Sequence, residues 1–146
     1  MNNITLKLAT EKDIPIYIEI EKSLSNLKTY SNMTDSEETK EEFKNNTVYM
    51  IENNNKAVGS IQYKIINSDH IHISGLVVSP KYQHQGIGKL ALKQILEKFK
   101  DIKKIDLVTH PENPVLNLYK SFGFVVRKRI ENYFGDGEPR VELEKI

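Results

Sequence analysis

Cysteine is absent from the 146 residues. Without a thiol there is no disulfide framework, no cysteine nucleophile and no zinc site built on thiolate. Charge of one sign is also scarce. The 21 Lys and Arg nearly cancel the 20 Asp and Glu, for a formal net charge of +1, which argues against nucleic-acid binding through bulk electrostatics. No apolar run approaches the roughly 20 residues needed to cross a bilayer, so no membrane partner is expected. The opening "MNNITLKLAT" lacks a basic start followed by an apolar stretch, so a signal peptide is not expected and a cytoplasmic location is. What is present, 38% hydrophobic and 28% charged residues, suits a globular chain folded as one domain over 1–146. The acidic stretch "DSEETKEEFK" reads as a solvated polar helix.

The pattern of residues then gives an order of elements. "ITLKLA" alternates as a strand. In "TEKDIPIYIEIEKSL", Thr10 or Asp13 can cap a helix whose first turn holds Pro15, with Ile14, Tyr17, Ile18 and Glu21 on one face and Leu24 beyond. Residues 28–46 are polar and accommodate one short helix around Phe43. "VYMIE" and "KAVGSIQYKII" read as strands joined by a turn at Asn53–Asn55. "HIHISGLVV" is a third, in which Gly75 suggests a bulge or a close backbone approach. A helix follows with Leu92, Ile95, Leu96 and Phe99 at helical spacing, and then the strand "KKIDLV". "NPVLNLYKSFG" is a short helix capped by Asn113, started by Pro114 and stopped by Gly123. "FVVRKRIENY" and "PRVELEKI" are two last strands turned at Asp136–Gly137. The order is β-α-α-β-β-β-α-β-α-β-β, an α/β (α+β) arrangement.

The chemistry lies in "SPKYQHQGIGKLALKQIL", residues 79–96, where Gly86 and Gly88 stand at the mouth of a helix. Glycines there let backbone amides turn toward an anion without Cβ clashes. A mononucleotide P-loop fails, because Leu90 follows Lys89 and no glycine stands five residues before Gly88. The dinucleotide fingerprint fits Gly86-Ile-Gly88-Lys-Leu-Ala91, with Asp106 about twenty residues on. Against it, "SPKYQHQ" separates the strand from Gly86, and residues 89–146 are too few to complete a doubly wound sheet.

A third pattern, Gln/Arg-x-x-Gly-x-Gly/Ala, is met by Gln83-His84-Gln85-Gly86-Ile87-Gly88. With "LVVSPKYQHQGIGKLAL" around it, the opening "ITLKLATEKDIPIYIEIEKS" and the later "NPVLNLYKSFGF", the chain resembles the acetyl-CoA-dependent N-acetyltransferase superfamily, GNAT, along its length. The resemblance implies a mixed, mostly antiparallel central sheet of about seven strands with about four helices. It also implies acetyl-CoA as acetyl donor, held by Leu76, Val77, Val78, Gln83, His84, Gln85, Gly86, Ile87, Gly88, Lys89, Asn113 and Tyr119. The strand of Leu76–Val78 would splay from its neighbour and pair with the pantetheine arm, its amides facing the thioester. One departure is that Asn113 stands six residues before Tyr119, where the family places its Asn seven before.

Acetyl transfer to an amine requires a proton to leave the ammonium and another to reach the departing thiolate. The resemblance makes Tyr119 the acid, although its side chain shares an apolar helical face with Val115, Leu118 and Phe122. His72 takes the strand position where some relatives carry a Glu and is the candidate base. The acid that others carry before the Tyr helix is missing, since Leu107, Val108 or Thr109 stands there. His110, Glu112 or a water chain are the other bases. His70 and His72 share a strand face, but with no third ligand in view no metal is expected. "ENYFGDGEPR" resembles the final hairpin of protein N-terminal acetyltransferases, in which Tyr133 would contact the substrate. Pro139 departs from the acid common there, so the amine acceptor is either a small molecule or a protein or peptide N-terminus. The last strand, taken as exposed, is open to pairing in a homodimer. The alternative to an enzyme is a catalytically weak acetyl-CoA-binding sensor or partner module.

Overall fold

The computed structural model describes residues 3–24 and 36–146; part of the helix expected over 28–46 lies outside them. Among the described residues there are seven strands: β1 (Ile4–Leu8), β2 (Thr47–Asn53), β3 (Lys56–Asn67), β4 (His70–Val78), β5 (Lys104–Thr109), β6 (Phe124–Ile130) and β7 (Arg140–Lys145). Four α-helices accompany them: α1 (Ile14–Lys22), α2 (Ser36–Asn45), α3 (Ile87–Lys98) and α4 (Val115–Ser121). The strands form one sheet in the order β1-β2-β3-β4-β5-β7-β6. Only β4 and β5 run parallel. Element order and sheet type are those of the GNAT fold implied by the resemblance. Among the described residues no helix is long and apolar enough to cross a membrane.

Strand alternation sends neighbouring side chains to opposite faces of the sheet. Ile61, Ile71 and Ile73 meet Leu92, Ile95 and Leu96 of α3 on one face. On the other, Val48 and Met50 meet Tyr17 and Ile20 of α1, with Phe43 of α2 packed alongside. Leu92 is fully buried, and each such aliphatic side chain contributes about 1.5–3 kcal/mol. The Tyr17 and Phe43 rings meet edge to face at 5.2 Å.

Local signals account for the boundaries. Thr10 forms a capping box with Asp13 around the single turn Glu11–Asp13 that leads into α1. Asn54 and Asn55 both take positive φ, 53° and 69°, as a tight hairpin between right-twisted strands demands. The Oδ1 of Asn113 accepts the Val115 N–H at 3.0 Å, so Asn113 caps α4 as expected. Strand β6 ends three residues earlier than its pattern predicted. Asn132 takes φ 52°, and its side chain accepts the Gly137 N–H at 2.6 Å, which closes a loop in place of further strand.

One expectation needs correction. The last strand is not an exposed edge, because β7 sits between β5 and β6. The outer strands are β1 and β6.

Two features of β4 shape the site. Gln62 pairs with Gly75 and Tyr63 with Ile73, so Ser74 is an extra residue in β4; this is the bulge that Gly75 suggested. The parallel pairing with β5 covers only His70–Ile73 against Lys104–Leu107. Past the bulge the two strands part, and β4 keeps a partner only in β3.

Candidate active site

The parting of β4 and β5 exposes main chain. Ser79 N–H donates to Val58 C=O at 2.8 Å. By strand alternation the main-chain groups of Val77 also face β3, while those of Leu76 and Val78 face the open edge. Gln83 Nε2 donates to the Val78 carbonyl from that edge at 2.8 Å. Of the three residues expected to offer amides, then, two point the right way and Val77 is engaged in the sheet. Gly59 makes that sheet contact feasible: a Cβ there would lie 2.2 Å from the Val77 carbonyl oxygen.

The loop after β4 lines a cleft on the same side, through Gln83, His84, Gly86 and Gly88. His84 has φ 65° and Gly86 φ 79°, the left-handed conformations that form anion-binding concavities. For a non-glycine residue such as His84 this costs about 1–3 kcal/mol. Helix α3 makes its first bond from Leu90 N–H to Gly86 C=O. The N–H groups of Ile87, Gly88 and Lys89 therefore stand outside its ladder, at the positive end of the helix dipole. Below them lies a cleft of about 280 Å³, lined by Leu76, Val78, Gln83, Gly86, Leu118 and their neighbours. A Cβ on Gly88 would rest against Val78, Leu118 and Leu76 at 3.8–3.9 Å, so its methyl would fill the cradle without a clash.

A second cleft, about 370 Å³, opens on the far side of Leu76. Leu76 lines both. Tyr119 of α4 is buried in the second, its ring against Phe124 at 5.6 Å. No acid of β5 lines it; Val108 and Thr109 do. Its acids come from α1 and α2, Glu21 and Glu42. Gln62 Nε2 donates to the Tyr17 hydroxyl at 2.9 Å, and Glu21 lies near enough for its charge to act on that hydroxyl. Burial, then the charge of Glu21, pushes the Tyr17 hydroxyl up in pKa, and Glu42 adds to the effect. Burial also pushes the Glu42 carboxyl up, with Lys64 opposing. Arg140 is 2% exposed and committed: Asp136 accepts at 3.0 Å, Pro139 C=O accepts at 3.0 Å, and the Phe134 ring lies 5.1 Å away.

The remaining predicted residues fall into place around these clefts. His72 lines neither cleft. Its Nδ1 is 2.9 Å from Asp106 Oδ1, and His70 Nε2 approaches the same oxygen to 3.0 Å. Burial pushes the Asp106 carboxyl up, but the two imidazoles outweigh it and hold the group below its usual range. Asn113 lines the second cleft, with its amide turned to Thr109 and Val115. Tyr133 stands edge-on against Phe134 at 4.7 Å, and it is Phe134 that lines the cleft.

His110, Glu112 and Glu138 bring three ligand atoms within 4.8 Å of one another. However, His110 Nδ1 accepts the Glu112 N–H at 3.0 Å, so the ring proton sits on Nε2 and is donated to Glu138 at 2.8 Å. A metal ligand usually donates from its other ring nitrogen, which that amide forbids here.

Sequence reasoning missed Glu21, Glu42, Gln62, Phe134 and Arg140. Only Glu21 left a signal, a carboxylate on the apolar face of α1. The stretch "DSEETKEEFK" is not solvated throughout, since Thr39 is buried and Glu42 lines the cleft.

Comparison with known proteins shows the family and agrees with the fold. Residues 17–124 match the model of the Acetyltransferase (GNAT) family. The chain is 26% identical over 98 residues to the catalytic subunit of the N-terminal acetyltransferase B complex of Arabidopsis thaliana, covering 62% of this chain and 56% of that one. The match thus spans about half the length of that relative. Among solved structures, a GNAT family acetyltransferase of Elizabethkingia anophelis with acetyl-CoA bound superposes with a TM-score of 0.77 at 23% identity, over 98% of this chain and 97% of that one. A ribosomal-protein-alanine N-acetyltransferase of Brucella melitensis gives 0.79 at 19% identity, over 97% and 99%.

Proposed function

Since this chain belongs to the acetyltransferase (GNAT) family, we propose that it moves an acetyl group from acetyl-CoA to a primary amine by direct attack in a ternary complex. The observation that carries this reading is the open edge of β4 between two clefts, with Leu76 on the wall of both. The diphosphate fits the amides of residues 83–89 at the start of α3, beside Lys89. The pantetheine arm fits the edge of Leu76 and Val78 as an added strand. A main-chain amide there also faces the thioester oxygen, and such a donor lowers the barrier by about 3 kcal/mol.

The amine enters from the second cleft. After losing a proton its nitrogen attacks the carbonyl carbon, the new C–N bond forms and the C–S bond breaks. The departing sulfur takes a proton from Tyr119, and the phenolate recovers one from the positively charged nitrogen of the new C–N bond, through water, leaving the neutral amide and the thiol. His72 stands outside both clefts, so as a base it would act through water.

The test is thiol release from acetyl-CoA with a panel of small amines and N-terminal peptides, beside calorimetry of acetyl-CoA binding. Turnover with at least one amine is expected. Tight binding without turnover across the panel would favour a sensor module, and no binding would overturn the reading entirely.

A further inference from the structure

The loop between β6 and β7 forms part of the second cleft through Phe134, yet residues 131–137 are all exposed. Much of its order is internal. Asn132 Oδ1 accepts the Gly137 N–H at 2.6 Å, and Asp136 Oδ1 accepts the Glu138 N–H at 2.9 Å. The Phe134 ring lies edge-on to Tyr133 and 5.1 Å from the Arg140 guanidinium. These contacts join the loop to itself or to the first residue of β7. They set its shape but not its distance from the end of β5.

His110 supplies that link. It follows β5 directly, its side chain is 0% exposed, and it lines the same cleft. Its C=O accepts the Asn113 N–H at 3.0 Å and its Nδ1 accepts the Glu112 N–H at 3.0 Å, so the turn before α4 fixes the ring. Nε2–H is then a buried donor aimed at the loop, and Glu138 Oε1 accepts it at 2.8 Å. A buried N–H without an acceptor is costly, and a bond to a carboxylate is among the stronger ones. With both ring nitrogens engaged, the imidazole has no lone pair to offer an amine, which removes His110 as a base. Glu138 lines neither cleft, so its carboxylate does not meet the acceptor itself.

Resting on the transferase reading, we propose that His110 is a positioning residue for the acceptor. Its Nε2–H holds Glu138, and through Glu138 it sets the loop that presents Phe134 to the cleft. The apolar part of the acceptor beside its amine packs on that ring. Acceptor affinity therefore depends on a carboxylate that the acceptor does not touch.

Two measurements test this, one of them without any ligand. The chain has no tryptophan, so Phe134→Trp places a single reporter in the loop. Adding Glu138→Ala should cause a loss of its fluorescence anisotropy, as the loop gains nanosecond motion. Adding Glu138→Gln should not, because the amide oxygen still accepts the Nε2–H. The kinetic arm uses the amine with the highest turnover in the panel of small amines and N-terminal peptides. Glu138→Ala should raise its KM about tenfold, the worth of one charged hydrogen bond, with kcat and acetyl-CoA affinity little changed. Glu138→Gln should stay within about threefold of wild type. Phe134→Ala should raise KM at least as much as Glu138→Ala, and combining the two should add nothing to Phe134→Ala. An unchanged KM in Glu138→Ala, a Gln variant as impaired as the Ala variant, or additive effects in the double variant would each overturn the proposal. If no amine turns over, the transferase reading fails and the anisotropy alone decides: equal values in the Ala and Gln variants would still sink the clamp.

Discussion

On one side of Leu76 the cleft is made of main chain: two β4 residues facing the open edge, a loop with two left-handed residues and the first amides of a helix. On the other it is made of side chains, Tyr17, Glu21, Glu42, Gln62, Tyr119 and Arg140, drawn from five different elements. A main-chain site needs only that the backbone reach a certain shape, and glycines permit that shape. A side-chain site needs buried polar groups that satisfy one another, and so depends on the packing of distant segments. The first kind suits a cosubstrate with fixed chemistry. The second suits an acceptor that differs from one relative to the next.

The comparison can be broken most forcefully at Tyr119. Replacing it with Phe should lower turnover by about 100- to 10,000-fold, as for loss of a general acid, with acetyl-CoA affinity little changed. Turnover equal to wild type at saturating amine would remove Tyr119 from the chemistry. Gly59→Ala should come next. Its methyl would press on the Val77 carbonyl, so urea denaturation should show a loss of about 3 kcal/mol.

Gly86→Ala meets no atom within 4 Å but must hold φ 79°. It should cost about 1–2 kcal/mol, read in acetyl-CoA affinity and unfolding midpoint together. Smallest should be Asp106→Asn, under about 1 kcal/mol for a partly exposed pair. The Asp106 carboxyl lies below its ordinary value of 3.8 in the fold. Its contribution is therefore fully present above pH 3.8 and lost as pH falls through the lower folded value. The gap between wild type and variant should close in acid; a gap that widens there would contradict the pairing.

The main-chain half was legible in the sequence. "QHQGIG", Pro114 after Asn113, and the Asn-rich hairpin are local signals, each fixing a backbone conformation within a few residues. The bulge was legible too, because glycine in a strand marks a place where a side chain would not fit. The acceptor half was less so. Asp106 pairs with His72 because β4 and β5 are neighbours in register, a fact no spacing encodes. Phe134, not Tyr133, lines the cleft, in a loop that begins where Asn132 takes a positive φ.

Alternation, capping and glycine placement are short-range, so the chain by itself determined its elements, their order and the glycine loop before α3. Which strand is covered was decided when β7 inserted between β5 and β6, and which carboxylates line one cleft was decided when helices α1 and α2 packed across the sheet. Contacts between segments far apart in sequence exist only once the core that presses them together has formed.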